Sequence, residues 1–227
     1  MTIKRTITCL ILTLLGGLAA RAATEADKRL DASAAALNDI MAVSDKSIPQ
    51  DLLGKAECVV VVPGLKKGAF IIGAKFGRGF LLCRKGGGVG WSAPAAIKVE
   101  GGSVGFQIGG SETDVIMLVL NKSGKDKLLS SKFTLGADAS VAAGPVGRAS
   151  SAETDAKFRA EILTYSRSRG VFAGISLQGA TLRPDKDANE ELYGKGKENR
   201  DIVMGDASAP ASAQALITTL NKYSSRK

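Results

Sequence analysis

Apolar residues recur at three- and four-residue spacing through Ala26, Leu30, Ala34, Leu37 and Met41, the period of a helix with one buried face. Thr24 and Asp27 form a capping-box pair ahead of that run, so a helix is predicted over Thr24–Val43. Ser47, Pro49 and Gly54 then frame one helical turn around Leu52 and Leu53, because proline suits a first turn and glycine an end. Beyond it the period changes. Glu57–Val62, Ala69–Phe76, Gly79–Lys85, Ala95–Glu100, Val104–Ile108 and Val115–Leu120 are β-branched or aromatic runs bounded by glycine, and they read as strands. Ser123–Ser131 reads as a short helix, small residues dominate Leu135–Val146, Ala160–Tyr165 fits either state, and Val171–Leu182 reads as strand. Asp185–Tyr193 and Ser212–Tyr223 look helical, the second with Leu216, Leu220 and Tyr223 on one face.

A helix, then many strands, then helices predicts an α+β domain: a largely antiparallel, curved, glycine-rich sheet with N-terminal and C-terminal helices packed on it. Gly73, Gly105 and Gly109 inside the strands mark tight bends or close backbone approach. With 44% hydrophobic residues and only 5% aromatic, the core is one of Val, Ile, Leu and Ala.

The first residues carry a different signal. Lys4 and Arg5 precede an apolar run from Ile7 to Leu18, and Ala20-Arg21-Ala22 puts small residues around a cleavage site, the pattern of a secretory signal peptide over residues 1–22. About a dozen apolar residues fall short of the ~20 that a spanning helix needs. Cys9 lies inside that run, badly placed for lipid attachment. The expectation is a periplasmic or secreted protein, peripherally membrane-associated, with one domain over residues 23–227, an N-terminal helix 24–43 and a C-terminal helix 212–223. Export would leave Cys58 and Cys83 in an oxidising compartment, where an even count permits one disulfide. Two buried free thiols fit their apolar runs equally well.

Charge narrows the partner. The whole chain carries +9, yet residues 54–92 alone hold seven Lys/Arg against one acid, Glu57, among ten glycines and the aromatics Phe70, Phe76, Phe80 and Trp91. A field concentrated in one segment points to an anionic partner. Pro63–Gly68 and Arg84–Gly88 both read as turns with two strands between them, and a chain reversal at Gly77-Arg78-Gly79 would return both turns to one end of the sheet. Lys66, Lys67, Arg84 and Lys85 then converge, with Arg78 in support and Leu65 placed for membrane insertion. Gly86, Gly87 and Gly88 would offer backbone N–H groups as an anion nest. A solvated hairpin end, whose lysines discourage edge aggregation, accounts for the same residues without a ligand.

Catalytic readings fail on an absence. The chain has no histidine, so the G-x-S-x-G string at Gly101–Gly105 has no triad base and reads as a turn. Zinc chemistry lacks ligands. Asp185, Asp187 and Asn189 fit three positions of a calcium loop, but Glu190 stands where its glycine belongs and Gly196 where its bidentate acid belongs; a helix cap explains them better. No nucleotide-binding loop stands in a strand-to-helix context, and no cofactor is expected. Aromatics among cations also suit single-stranded nucleic acid, a partner that export removes.

Several segments together resemble a known family. Ile48-Pro49, Ala56, Val59–Pro63, the Gly77-Arg78-Gly79 run into Trp91-Ser92-Ala93-Pro94, Gly105–Gly109, Leu135–Arg148, Tyr165–Leu177, and Gly179-Ala180 through Asp185, Ala188-Asn189 and Tyr193-Gly194 occur in order, as in the SYLF-domain family. The resemblance implies a non-enzymatic lipid-binding module; eukaryotic members are described as binding phosphoinositides and a yeast branch as binding actin. It also implies a basic N-terminal helix at the membrane. Here residues 23–53 sum to −3, with Glu25, Asp27, Asp31 and Asp39 in the helix, so that helix is expected to pack on the core. The resulting expectation is an envelope protein that contacts anionic phospholipid through its basic turns, or alternatively a periplasmic protein-interaction module with no lipid ligand.

Overall fold

The computed structural model describes residues 22–43, 47–70, 72–104, 109–146, 160–168, 171–174 and 177–224. Residues 1–21 of the predicted signal peptide (1–22), most of the expected Val104–Ile108 strand, and the matching segments at 105–108, 147–148, 169–170 and 175–176 lie outside those residues.

Helix α1 spans Glu25–Met41, and Thr24 caps it with the predicted reciprocal bonds to Asp27. All five periodic positions are buried, together with Ile40. Each of Leu30, Leu37 and Ile40 contributes roughly 1.5–3 kcal/mol by leaving water. The acidic helix therefore packs on the core. A short α2 follows at Gln50–Lys55. The strands are β1 (Cys58–Phe70), β2 (Ile72–Cys83), β3 (Ala95–Val104), β4 (Gly109–Val119), β5 (Phe133–Thr134), β6 (Val141–Ala143), β7 (Ile162–Ser168), β8 (Val171–Gly174) and β9 (Thr181–Pro184). Helices α3 (Lys122–Leu128), α4 (Lys186–Tyr193), α5 (Asn199–Met204) and α6 (Gln214–Tyr223) complete the order, with a 3-10 turn at Ala211–Ala213 ahead of α6.

The nine strands form one curled sheet in the order β5-β9-β3-β2-β1-β4-β7-β6, with β8 also on β7. Every pairing is antiparallel except β6 with β7. Val59, Val61, Phe80, Leu82, Ile116 and Leu118 face α1 and α6. Their alternates Val60, Val62, Leu81, Val115 and Met117 face the inside of the curl with Phe133, Leu182 and Ile202. Both faces are covered, which is why Val59–Val62 is an unbroken apolar run rather than an alternating one.

Strand β1 departs most from expectation. Pro63–Gly68 is no turn: the chain runs straight through it, with a bulge where the register shifts between Val62 and Leu65. Gly64 takes φ +58° there and its N–H donates to Asp114 Oδ1 at 2.9 Å. Gly77 and Gly79 sit across from this bulge inside β2 and do not reverse the chain. A Cβ on Gly79 would run into the Val61 carbonyl oxygen, and one on Gly77 would lie 2.7 Å from Leu65 Cδ1 and Val62 Cγ1. These glycines make room for extra backbone in the neighbouring strand. Val171–Leu182 is likewise not one strand but β8 and β9, separated by a turn at Gln178-Gly179.

Candidate functional site

The corrected hairpin separates the predicted basic cluster. Lys66 pairs with Phe76 far along β1, whereas Arg84 follows the Cys58–Cys83 pair at the hairpin's other end. At ~3.3 Å per residue the two ends lie about 25 Å apart. The convergence of Lys66 and Lys67 with Arg84 and Lys85 therefore does not occur.

Three of the predicted residues are engaged inside the fold. Arg84 is buried, and its guanidinium donates to the carbonyl oxygens of Leu53, Gly54, Ala56 and Ser224, the last at 2.7 Å. It also lies 4.0 Å from the centre of the Trp91 ring, and the indole N–H donates to Ser224 Oγ at 3.0 Å. This arrangement ties the end of α6 to α2 and the sheet. Arg78 Nε stands 3.4 Å from Asp185 Oδ2, and Lys98 Nζ 3.2 Å from Oδ1 of the same buried carboxylate. Leu65 is fully buried in the inner core, so it has no surface to insert into a bilayer. Of the glycine run, Gly88 donates its N–H to the Lys85 carbonyl at 2.7 Å with φ +76°, closing a tight turn rather than standing open as a nest. Cys58 and Cys83 are joined, with Cα atoms 3.9 Å apart.

What the structure does assemble is a different lysine pair. Lys67 and Lys75 stand directly opposite each other across β1 and β2, so their side chains leave the same face of the sheet. Ser111 of β4 flanks Lys67 and Gly101 of β3 flanks Lys75 on the same rung. That face is the inner one, two residues beyond Leu65 and Val99. The pair thus sits where the apolar interior opens at the distal end of the hairpin. Directly opposed like charges destabilise a ladder, and among the described residues no carboxylate forms an ion pair with either lysine. Burial, and then the Lys75 charge, hold the Lys67 ammonium below the usual lysine range. The outer face at this level differs. Lys66 shares its rung with Glu112, and its partner Phe76 with Glu100, so carboxylates offset that cation.

Charge balance also decides against a second cleft. A cavity of about 840 Å³ between α1 and the β1 bulge is lined by Lys28, Arg29, Lys66 and Arg167, but equally by Glu25, Asp39, Glu112 and Asp114. It offers no net attraction to an anion. Among the described residues no group of three or more His, Cys, Asp or Glu could hold a metal, and no helix is long and apolar enough to cross a membrane.

Sequence reasoning counted Lys75 among the basic residues but did not place it in the site, and it missed Ser111 altogether. The available signal was register: with β1 and β2 read as one hairpin turning near residue 71, Lys67 and Lys75 fall opposite each other.

Residues 100–223 match the family model described as Ysc84, Las17-binding protein actin regulator. The chain is 37% identical over 183 residues to the SH3 domain-containing YSC84-like protein 1 of Rattus norvegicus, an alignment covering 80% of this chain and 53% of that protein. The Homo sapiens protein of the same name is 34% identical over the same lengths. LAS seventeen-binding protein 3 of Saccharomyces cerevisiae is 33% identical over 181 residues, 78% of this chain and 39% of its own. The chain thus spans about half the length of the animal relatives and less of the yeast one.

Proposed function

Since the chain belongs to the Ysc84 (SYLF-domain) family, we propose that it is a non-enzymatic binding module, exported to a bacterial envelope, that meets anionic phospholipid with the distal end of its sheet. One observation carries this reading: the opposed Lys67 and Lys75, flanked by Ser111 and by the small Gly101. Two lysines opposed across a ladder without a paired carboxylate repel each other, and burial disfavours the charge on Lys67. A phosphate between them removes both penalties and accepts charge-assisted hydrogen bonds. Export is supported by the Cys58–Cys83 bond, since such bonds persist in oxidising compartments.

Magnitude sets what this contact can be. At ~1 kcal/mol per cation near an anionic surface, Lys67 and Lys75 supply about 2 kcal/mol, well short of the ~4.1 kcal/mol of a 1 mM complex. Binding is therefore weak, salt-sensitive and dependent on many copies at a surface. The protein should co-sediment with vesicles of phosphatidylglycerol and phosphatidylcholine, but not of phosphatidylcholine alone, at low ionic strength. The Lys67→Glu/Lys75→Glu protein should stay in the supernatant; equal sedimentation would remove the lysine pair from the function. The names of the relatives, a Las17-binding protein among them, favour a second reading, a protein-interaction module with no lipid ligand. It predicts no vesicle binding and a partner retained at high salt.

A further inference from the structure

We propose that a cleft at the opposite, disulfide-bonded end of the hairpin binds a small amphiphilic carboxylate, an aliphatic chain ending in one carboxylate. The cleft encloses about 630 Å³ between the Arg84–Ala93 loop, α3, and the segment joining α5 to α6, within the range of about 300–1,000 Å³ usual for small-molecule sites. Trp91, Ala93, Val203 and Ile217 give it an apolar lining. Met204, half-exposed on its rim, adds a flexible apolar side chain.

Its charge is one-sided. Lys85 and Lys125 line it from two different elements, and neither forms an ion pair among the described residues. Arg84, also on the lining, is buried and engaged by backbone carbonyls, so it holds the Trp91 ring in place rather than facing the cleft. Asp206 is the one acid on the lining. The two lysines against one carboxylate leave a net charge of +1 on the lining, so the fit is to a monoanion. The half-buried Ile217 on the lining and the exposed Met204 on the rim favour an anion that carries a hydrocarbon body, which would cover both. The cleft shares no residue with the Lys67–Lys75 pair. Its ligand is therefore independent of any membrane contact at the distal end.

Trp91 is the chain's only tryptophan, which makes its emission a direct report on the cleft. Titration with decanoate below its micelle concentration should change that emission saturably, whereas decanol, lacking the charge, and acetate, lacking the chain, should bind about tenfold or more weakly. Lys85→Glu/Lys125→Glu should weaken decanoate by a similar factor with the far-ultraviolet circular dichroism unchanged. Ala207→Phe, which fills the cleft without altering charge, should do the same. The proposal is overturned by no saturable response to decanoate, by equal affinity for decanol, or by full affinity in the charge-reversed protein. It is equally overturned if calorimetry shows decanoate binding while Trp91 emission stays fixed, because the ligand then sits elsewhere. Vesicle sedimentation is not a readout here, so failure of this proposal and failure of the membrane contact are separately visible.

Discussion

Lys67 and Lys75 face each other across a ladder with no carboxylate paired to either among the described residues, a placement that costs stability and that a bound anion would offset. Replacing Lys75 by Gln should stabilise the free protein by ~0.2–1 kcal/mol at low salt while weakening its vesicle binding; urea midpoints and sedimentation measure the two effects. The pH dependence has a definite sign. Lys67 has a folded-state value below its unfolded one, so the folded protein binds fewer protons between the two. The penalty is complete at neutral pH and fades as pH climbs through the lowered folded value towards the ordinary lysine value, so stability should rise over that alkaline window. Lys75→Gln should flatten the rise. Arg84 shows the opposite case, a cation whose role is internal. Arg84→Met keeps bulk beside Trp91 but leaves buried carbonyls unpaired at about 1–3 kcal/mol for such a group, and a loss of at least ~2 kcal/mol in chemical denaturation is expected. Nothing in the run Arg84-Lys85-Gly86 separates the buried cation from the exposed one next to it. Burial is decided by carbonyls of α2 and by Ser224, which are far away in sequence.

Elements with a strong period were legible and the bulged hairpin was not. Helix α1 follows from its spacing and its cap, and α6 from Leu216 and Leu220. The β1–β2 hairpin misleads because Pro63, Gly64 and Gly68 are turn residues by composition, yet the first two serve a bulge and the two strands stay paired out to Phe70 and Ile72. Helix α5 escaped because it has only six residues, although the Glu198 and Asp201 capping pair was there to be seen. The bulge reading makes its own prediction. Gly79→Ala should be destabilising although alanine is the better residue for most strands, since its Cβ meets the Val61 carbonyl, whereas Gly68→Ala, with open space around its Cβ, should be near neutral. Gly144→Ala should also destabilise, because its Cβ would meet the buried Tyr165 ring. The same hairpin is closed by Cys58 and Cys83, separated by 25 residues. Reducing that bond should cost about 3.5 kcal/mol by the loop-entropy relation, read as a lower urea midpoint in the presence of a phosphine reductant.

Over the whole molecule, one basic sequence segment becomes two poles. A hairpin of 13- and 12-residue strands carries Lys66, Lys67 and Lys75 to one end and leaves Arg84 and Lys85 at the other, so a single run of charge in the sequence serves two surfaces. The α+β architecture and the family were legible from ordered segments; which cations meet was not, because that depends on a register set by one bulge. The central claim is that the Lys67–Lys75 pair is the part of the protein that touches an anionic bilayer. Site-resolved NMR of the lysine side-chain ε-methylene groups, during titration with phosphatidylglycerol-containing vesicles, tests it most directly. On vesicle binding the Lys67 and Lys75 signals should move and the Lys67 pKa should rise towards the ordinary value, while Lys85 and Lys125 stay in place. Unmoved Lys67 and Lys75 signals on protein that is demonstrably vesicle-bound would contradict it.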